Sequence, residues 1–123
     1  MANLLLGLAL ACVTRYDDLG VTASGLHTSD IDGPWLAVPA ESIGTLYEYG
    51  DLVILRGIRE DGSQWWYDGR VYDTGAFGGN CVRQADGCAP ILFDIPAQHV
   101  PFDGLSAKVV GAYNISAEAR RVH

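Results

Sequence analysis

Positive charge is scarce in this chain. Lys and Arg number 8 against 15 Asp and Glu, for a net charge of -7. Nucleic-acid binding needs a basic stripe or patch, and no cluster of Lys and Arg occurs, so a phosphate backbone is excluded as partner. The same balance gives no sign of an anionic membrane surface. A neutral or weakly charged ligand, such as a glycan, is compatible with it. Long hydrophobic runs are missing too. The apolar run from Leu4 to Cys12 is too short to span a bilayer, and no transmembrane span is expected. No Lys or Arg precedes it, so it lacks the charged start of a signal peptide. Two readings stand: a buried extension leading into the first strand, which the missing charge favours, and a poorly matching leader cut near Cys12. Internal repeats, low-complexity segments and linkers are absent. At 49% apolar and 19% charged residues, the 123-residue chain is globular, and it reads as one domain able to bury a core without staples.

Cysteine is scarce as well: three residues, an odd count. Cys81 and Cys88 flank a short polar stretch with a glycine, a geometry that a disulfide can close. Cys12 packs as a small apolar residue of the first strand. The spacing is not C-x-x-C and no His lies near it, so no metal site is expected. No cofactor is expected either. Nothing in the sequence brings a thiol together with His27 or His99 as a nucleophile and base.

What the chain does contain is a series of strand-sized segments between turn signals. Strands are expected over residues 8–16, 35–38, 51–58, 64–73, 90–94 and 106–113, with Pro39 stopping the second. Leu52-Val53-Ile54-Leu55 is apolar without alternation, which reads as a strand buried on both faces. Glu60-Asp61-Gly62-Ser63 reads as a hairpin turn. Residues 81–88 read as a loop, and residues 114–123 as a helical tail with Glu118 and Arg121 three apart. The pattern is mainly β, a barrel or sandwich.

One stretch stands out, Arg70-Val71-Tyr72-Asp73-Thr74-Gly75. A strand rich in aromatics delivers a carboxylate to its own end. Gly75, Gly78 and Gly79 then form a loop where backbone can approach a ligand closely. Asp73 has two readings: a cap of its own turn, or an acid at a reaction centre.

Five blocks in order carry a resemblance to a known family. They are Val13-Thr14-Arg15-Tyr16; Thr22-Ala23-Ser24-Gly25; the ten residues from Leu36 to Thr45; Val71-Tyr72-Asp73-Thr74-Gly75 followed by Gly79-Asn80; and Ile91-Leu92-Phe93-Asp94. Together they resemble the 3D domain, named for three aspartates and found in lytic transglycosylase A and bacterial cell-wall proteins. The resemblance implies a single-domain, six-stranded double-psi β-barrel over residues 11–113. Residues 1–10 would be an apolar attachment segment and 114–123 a tail. It also implies a peptidoglycan-cleaving activity, with glycan strands as the partner. Asp73 matches the position of the catalytic acid and Asp94 a second aspartate. Tyr16, Thr22, Ser24, Glu41, Thr74 and Gly75 fall at substrate-binding positions. The chain departs from the pattern at the first aspartate, because Pro39 follows Val38 directly, and Glu41 is the nearest acid.

The chemistry is coherent in its own terms. Cleaving a glycosidic bond needs a carboxylic acid whose proton is kept by burial or by a neighbouring carboxylate. Tyr72, Trp66 and Phe77 are expected to give Asp73 a partly apolar groove. Tyr16, Trp35 and Trp65 are candidates for stacking on sugar faces, Tyr16 first. In a lytic transglycosylase one acid suffices, because the substrate's own 6-hydroxyl closes an anhydro ring. The alternative is a silent barrel serving as a structural or glycan-binding module. A wall-cleaving domain without a credible leader is expected in a bacteriophage particle, docked to neighbouring subunits through residues 1–10, or released by lysis. An exported envelope protein is the alternative. Thiol counting under denaturing, non-reducing conditions is expected to find one thiol, Cys12. Three thiols after air exposure would rule out the Cys81–Cys88 pair, whose closure is worth at most about 2–3 kcal/mol.

Overall fold

A computed structural model describes residues 3–4, 11–17, 20–76, 81–84 and 87–121. The chain is mainly β. Its strands are β1 (Asn3–Leu4), β2 (Ala11–Tyr16), β3 (Trp35–Pro39), β4 (Leu52–Ile58), β5 (Gln64–Gly75), β6 (Cys81–Gln84), β7 (Gly87–Pro96) and β8 (Ser106–Asn114). The helix α1 (Ile115–Arg121) follows. Six strands run β8-β2-β7-β3-β5-β4, and β4 pairs back onto β8, which closes a barrel.

The pairing has a hidden symmetry. β2 lies parallel to β7, and β3 lies parallel to β5. β2 is antiparallel to β8, as β5 is to β4. β3 meets β7 and β4 meets β8, both antiparallel. Exchanging β2, β3 and β4 for β5, β7 and β8 interchanges the first two couples of pairings and carries β3–β7 and β4–β8 each onto itself. This is the crossed connection of a double-psi β-barrel. The two halves share no repeat in sequence, so only the pairing reveals the relation.

Alternation fills the barrel. Val13, Leu36, Val38, Val53, Leu55, Trp65, Tyr67, Val71, Phe93 and Ile95 form one buried cluster. Full burial of a large apolar side chain contributes about 1.5–3 kcal/mol. β4 is not buried on both faces as its apolar run suggests. Val53, Leu55 and Gly57 are buried, whereas Leu52, Ile54 and Arg56 between them are half-buried. Helix α1 packs against this strand, so apolar residues suit its outer face too.

One further expectation changes. The segment around the cysteines is a β-hairpin, not a loop: β6 pairs antiparallel with the start of β7, Cys81 opposite Pro90 and Arg83 opposite Cys88. Cys81 is disulfide-bonded, while Cys12 is a buried thiol that burial pushes above its ordinary pKa. The expected helical tail is present as α1. Asn114 caps α1, its side-chain oxygen accepting from Ala117 N–H at 3.0 Å. Arg120 reaches the carboxylate of Asp51, which is 3% exposed, and also Glu48. Burial pushes the Asp51 carboxyl up, but donation from Arg120, Asn114 and the Glu48 N–H outweighs it and holds the group below the usual range. Of the proposed attachment segment, Asn3 and Leu4 pair with Asn114 and Tyr113 of β8, and the rest lies outside the described residues. No helix among the described residues is long and apolar enough to cross a membrane.

Gly57 is fixed by packing. It faces Trp65 across the β4–β5 pair, and a Cβ there would lie 1.9 Å from the indole. Gly57→Ala is expected to lower stability by about 1–3 kcal/mol through overpacking, read as a fall in the urea midpoint. Adding Trp65→Leu should recover part of that loss. Strictly additive effects of the two changes would show that the indole does not occupy the glycine's space.

Candidate active site

An alternating strand sends every second side chain to the same face. On β5, Trp65, Tyr67 and Val71 point into the core, so Asp73 would follow them inward. It does not. Leu36 of β3 faces Val71, but Ala37 faces Asp73, so Tyr72 is an extra residue in β5. This β-bulge turns Asp73 to the outer face of the barrel wall. The same wall receives Asp94, between the core residues Phe93 and Ile95 on β7. Ala37 pairs with Asp73 on one side and with Asp94 on the other. The two Cα atoms are therefore two strand spacings apart, about 10 Å. Next in the row is Thr14 of β2, paired with Asp94.

Hydrogen bonds fix both acids. Asp73 Oδ1 accepts from the backbone N–H of Ala23 and of Thr74, each at 3.0 Å. Asp73 Oδ2 accepts from the Tyr16 hydroxyl at 3.1 Å. A carboxylate oxygen has room for two donors, so among the described residues one acceptor position remains, on Oδ2. Asp94 Oδ1 accepts from the Thr14 hydroxyl at 3.0 Å. Burial pushes the Asp94 carboxyl up to about 6; Thr14 opposes that, and the charge of Asp73 adds to it. Burial, and then the charge of Asp73, raises the Tyr16 phenol, with a smaller contribution from Asp94. Tyr16, Asp73 and Asp94 thus form one electrostatic group.

The loop over this wall is a small hairpin. Val21 bridges His27, and Thr22 N–H donates to Leu26 C=O at 2.8 Å. Gly25, at φ +94°, makes the reversal. Ser24 N–H donates to Tyr72 C=O at 3.2 Å, which lands the loop on the bulge. Thr22 is buried and its hydroxyl bonds Ser24 Oγ and Leu26 C=O. Thr22 and Ser24 therefore shape the loop that carries the Ala23 N–H. Gly75 pairs with Pro39 at the end of the β3–β5 ladder. Glu41 is exposed on the turn after Pro39, and among the described residues no hydrogen bond or ion pair joins it to either aspartate.

Several aromatic expectations change. Trp65 is 2% exposed in the core and stacks on no ligand from there. Trp66 is exposed on the opposite half of β5, opposite Arg56 and close to its guanidinium, away from Asp73. Phe77 lies outside the described residues, as do Gly78, Gly79 and Asn80. Trp35 is 2% exposed, and its indole N–H donates to the Tyr16 hydroxyl at 3.0 Å. His99 lies edge-on to it at 5.1 Å. Three participants were not singled out from sequence: Thr14, Ala37 and the Ala23 N–H. Period-two spacing with Tyr16 was the signal available for Thr14. An open groove of ≈ 900 Å³, lined by Ile58, Arg59, Phe102 and Lys108 among others, lies at the other end of β5 and includes none of the acid-site residues.

Asp94 carries a pH signature. A carboxyl raised from 3.8 to about 6 on folding leaves stability unaffected below pH 4 and lowers it as pH rises through 6. The ceiling is about 3 kcal/mol, which partial exposure screens to roughly 1 kcal/mol. Asp94→Asn keeps an acceptor for Thr14. It is expected to stabilise the protein by about that amount at pH 7.5 and not at pH 4, in urea melts at both pH values. Equal effects at both would rule out the titration.

No family model, no curated protein and no solved structure matches the chain.

Proposed function

We propose that this barrel cleaves peptidoglycan glycan strands in the manner of a lytic transglycosylase, with Asp94 as proton donor and Asp73 as proton acceptor. The observation that carries the reading is the pairing of both aspartates with Ala37, which presents them on one outer wall of the barrel. The Asp94 carboxyl, pushed up to about 6, retains a useful fraction of its proton near neutral pH. It protonates the leaving glycosidic oxygen as the bond to the anomeric carbon breaks. The substrate's 6-hydroxyl oxygen then bonds to that carbon. Its proton passes to the open position on Asp73 Oδ2, and an anhydro ring forms. Asp94 regains a proton from solvent, and Asp73 returns one. This divides between two carboxyls the work that the 3D-domain resemblance gives to Asp73 alone.

A second reading is the silent module. The Ala23 N–H, the Thr74 N–H and the Tyr16 hydroxyl all donate to Asp73, so the carboxylate also ties the Ala23 loop to β5. Purified peptidoglycan incubated with the protein and analysed by mass spectrometry separates the two. Anhydro-muropeptides are expected, with Asp73→Asn and Asp94→Asn each lowering their yield by about 10²-fold or more. Reducing-end products would mean a hydrolase. Wall binding without cleavage would establish the module.

A further inference from the structure

We infer that Trp35 is the positioning residue that makes Asp73 a single-site proton acceptor, by dictating where the Tyr16 hydroxyl proton points. The inference refines the role given to Asp73 above and rests on that reading for its catalytic meaning, but its geometric content stands apart from it.

A phenol oxygen donates one hydrogen bond and accepts others, so Tyr16 alone is free to turn its proton toward or away from Asp73. An indole N–H only donates. With Trp35 Nε1 at 3.0 Å from the Tyr16 oxygen, that oxygen must accept on the Trp35 side. Its own proton goes to its other polar partner, Asp73 Oδ2 at 3.1 Å. The two ends of the chain Trp35–Tyr16–Asp73 then agree: the indole only donates and the carboxylate only accepts, so the Tyr16 hydroxyl accepts from one and donates to the other.

Trp35 is itself closely packed. It is 2% exposed, is flanked edge-on by His99 at 5.1 Å, and sits on a strand held on both sides by β5 and β7. Its backbone carbonyl accepts from the buried Tyr67 hydroxyl. The indole N–H is therefore a fixed pointer on a rigid wall, whereas Tyr16 stands at the last position of β2.

The consequence falls on the carboxylate. Ala23 and Thr74 fill Oδ1, and Tyr16 fills half of Oδ2 as an obligate donor. The position left is an acceptor, suited to a substrate group that brings a proton, such as a sugar hydroxyl. A phenol turned the other way would not donate to Oδ2. Trp35 fills an acceptor position on the phenol oxygen and favours the orientation that donates to Asp73, which suits Asp73 as acceptor beside Asp94 as donor.

The test removes the indole N–H and follows Asp73 directly. Trp35→Phe removes it with some loss of packing. The sulfur isostere benzothienylalanine at the same position keeps the ring shape and loses only the donor. In both variants the Asp73 carboxyl carbon resonance is expected to move, and amide exchange at Ala23 and Thr74 to speed up by roughly tenfold, the equivalent of about one weakened hydrogen bond. Exchange in the core strands should not change in the isostere. Tyr16→Phe should give the same local changes, and the double variant no more than either single one. On peptidoglycan, the isostere should lower kcat with KM unchanged. An unmoved Asp73 resonance in the isostere, or additive effects of Trp35 and Tyr16 changes, would overturn the inference. Local changes as expected with no cleavage by the unaltered protein would keep the positioning role and remove the enzymatic reading instead.

Discussion

A carboxylate two residues past a core valine belongs inside the barrel, and there it would be costly to ionise. The bulge at Tyr72 removes that conflict. One extra residue in β5 shifts the ladder against β3, so that Val71 keeps its place beside Leu36 while Asp73 comes out beside Ala37. Everything at the acidic wall depends on this shift. Without it Asp73 meets neither Tyr16 nor the Ala23 loop, and Asp94 has no neighbouring charge. The loop itself is seated on the bulged residue, through Ser24 N–H and Tyr72 C=O.

The bulge has meaning only because β3 lies between β5 and β7. The crossed pairing of the two halves puts a strand of the first half between two strands of the second. Neither half can assemble this wall alone. The site therefore joins residues far apart in sequence: Tyr16 and Asp73 are 57 positions apart, and Thr14 and Asp94 are 80. Such pairings bear a loop-closure cost before they return any stability, so the topology folds late and as a whole.

How much of this was legible follows from the range of each signal. The strands between turns were legible because alternation and turn residues are local. Asp73 was legible because Asp-Thr-Gly marks a strand end, whereas Asp94 was singled out only through the 3D-domain resemblance. The bulge was not: whether Tyr72 pairs or is passed over depends on a partner strand 35 positions back, and the residue itself suits either state. Trp35 read as a sugar-stacking candidate because an aromatic alone does not disclose whether a wall covers it. The outer face of β4 read as core because a helix later in the chain lies on it. Glu41 looked like a substitute for the missing aspartate by proximity to Pro39, yet the turn that follows carries it into solvent.

The clamp on Asp51 has a bearing on synthesis. Arg120 comes 69 positions after the carboxylate it neutralises, and Asn114, its other side-chain donor, 63 after. At about 5–20 residues per second, a ribosome needs roughly 3–14 s to make that stretch. For most of that interval neither side-chain donor to Asp51 has been made, and β8, which pairs with β4, arrives only near its end. The clamp on Asp51 and the strand that closes the barrel thus become available together.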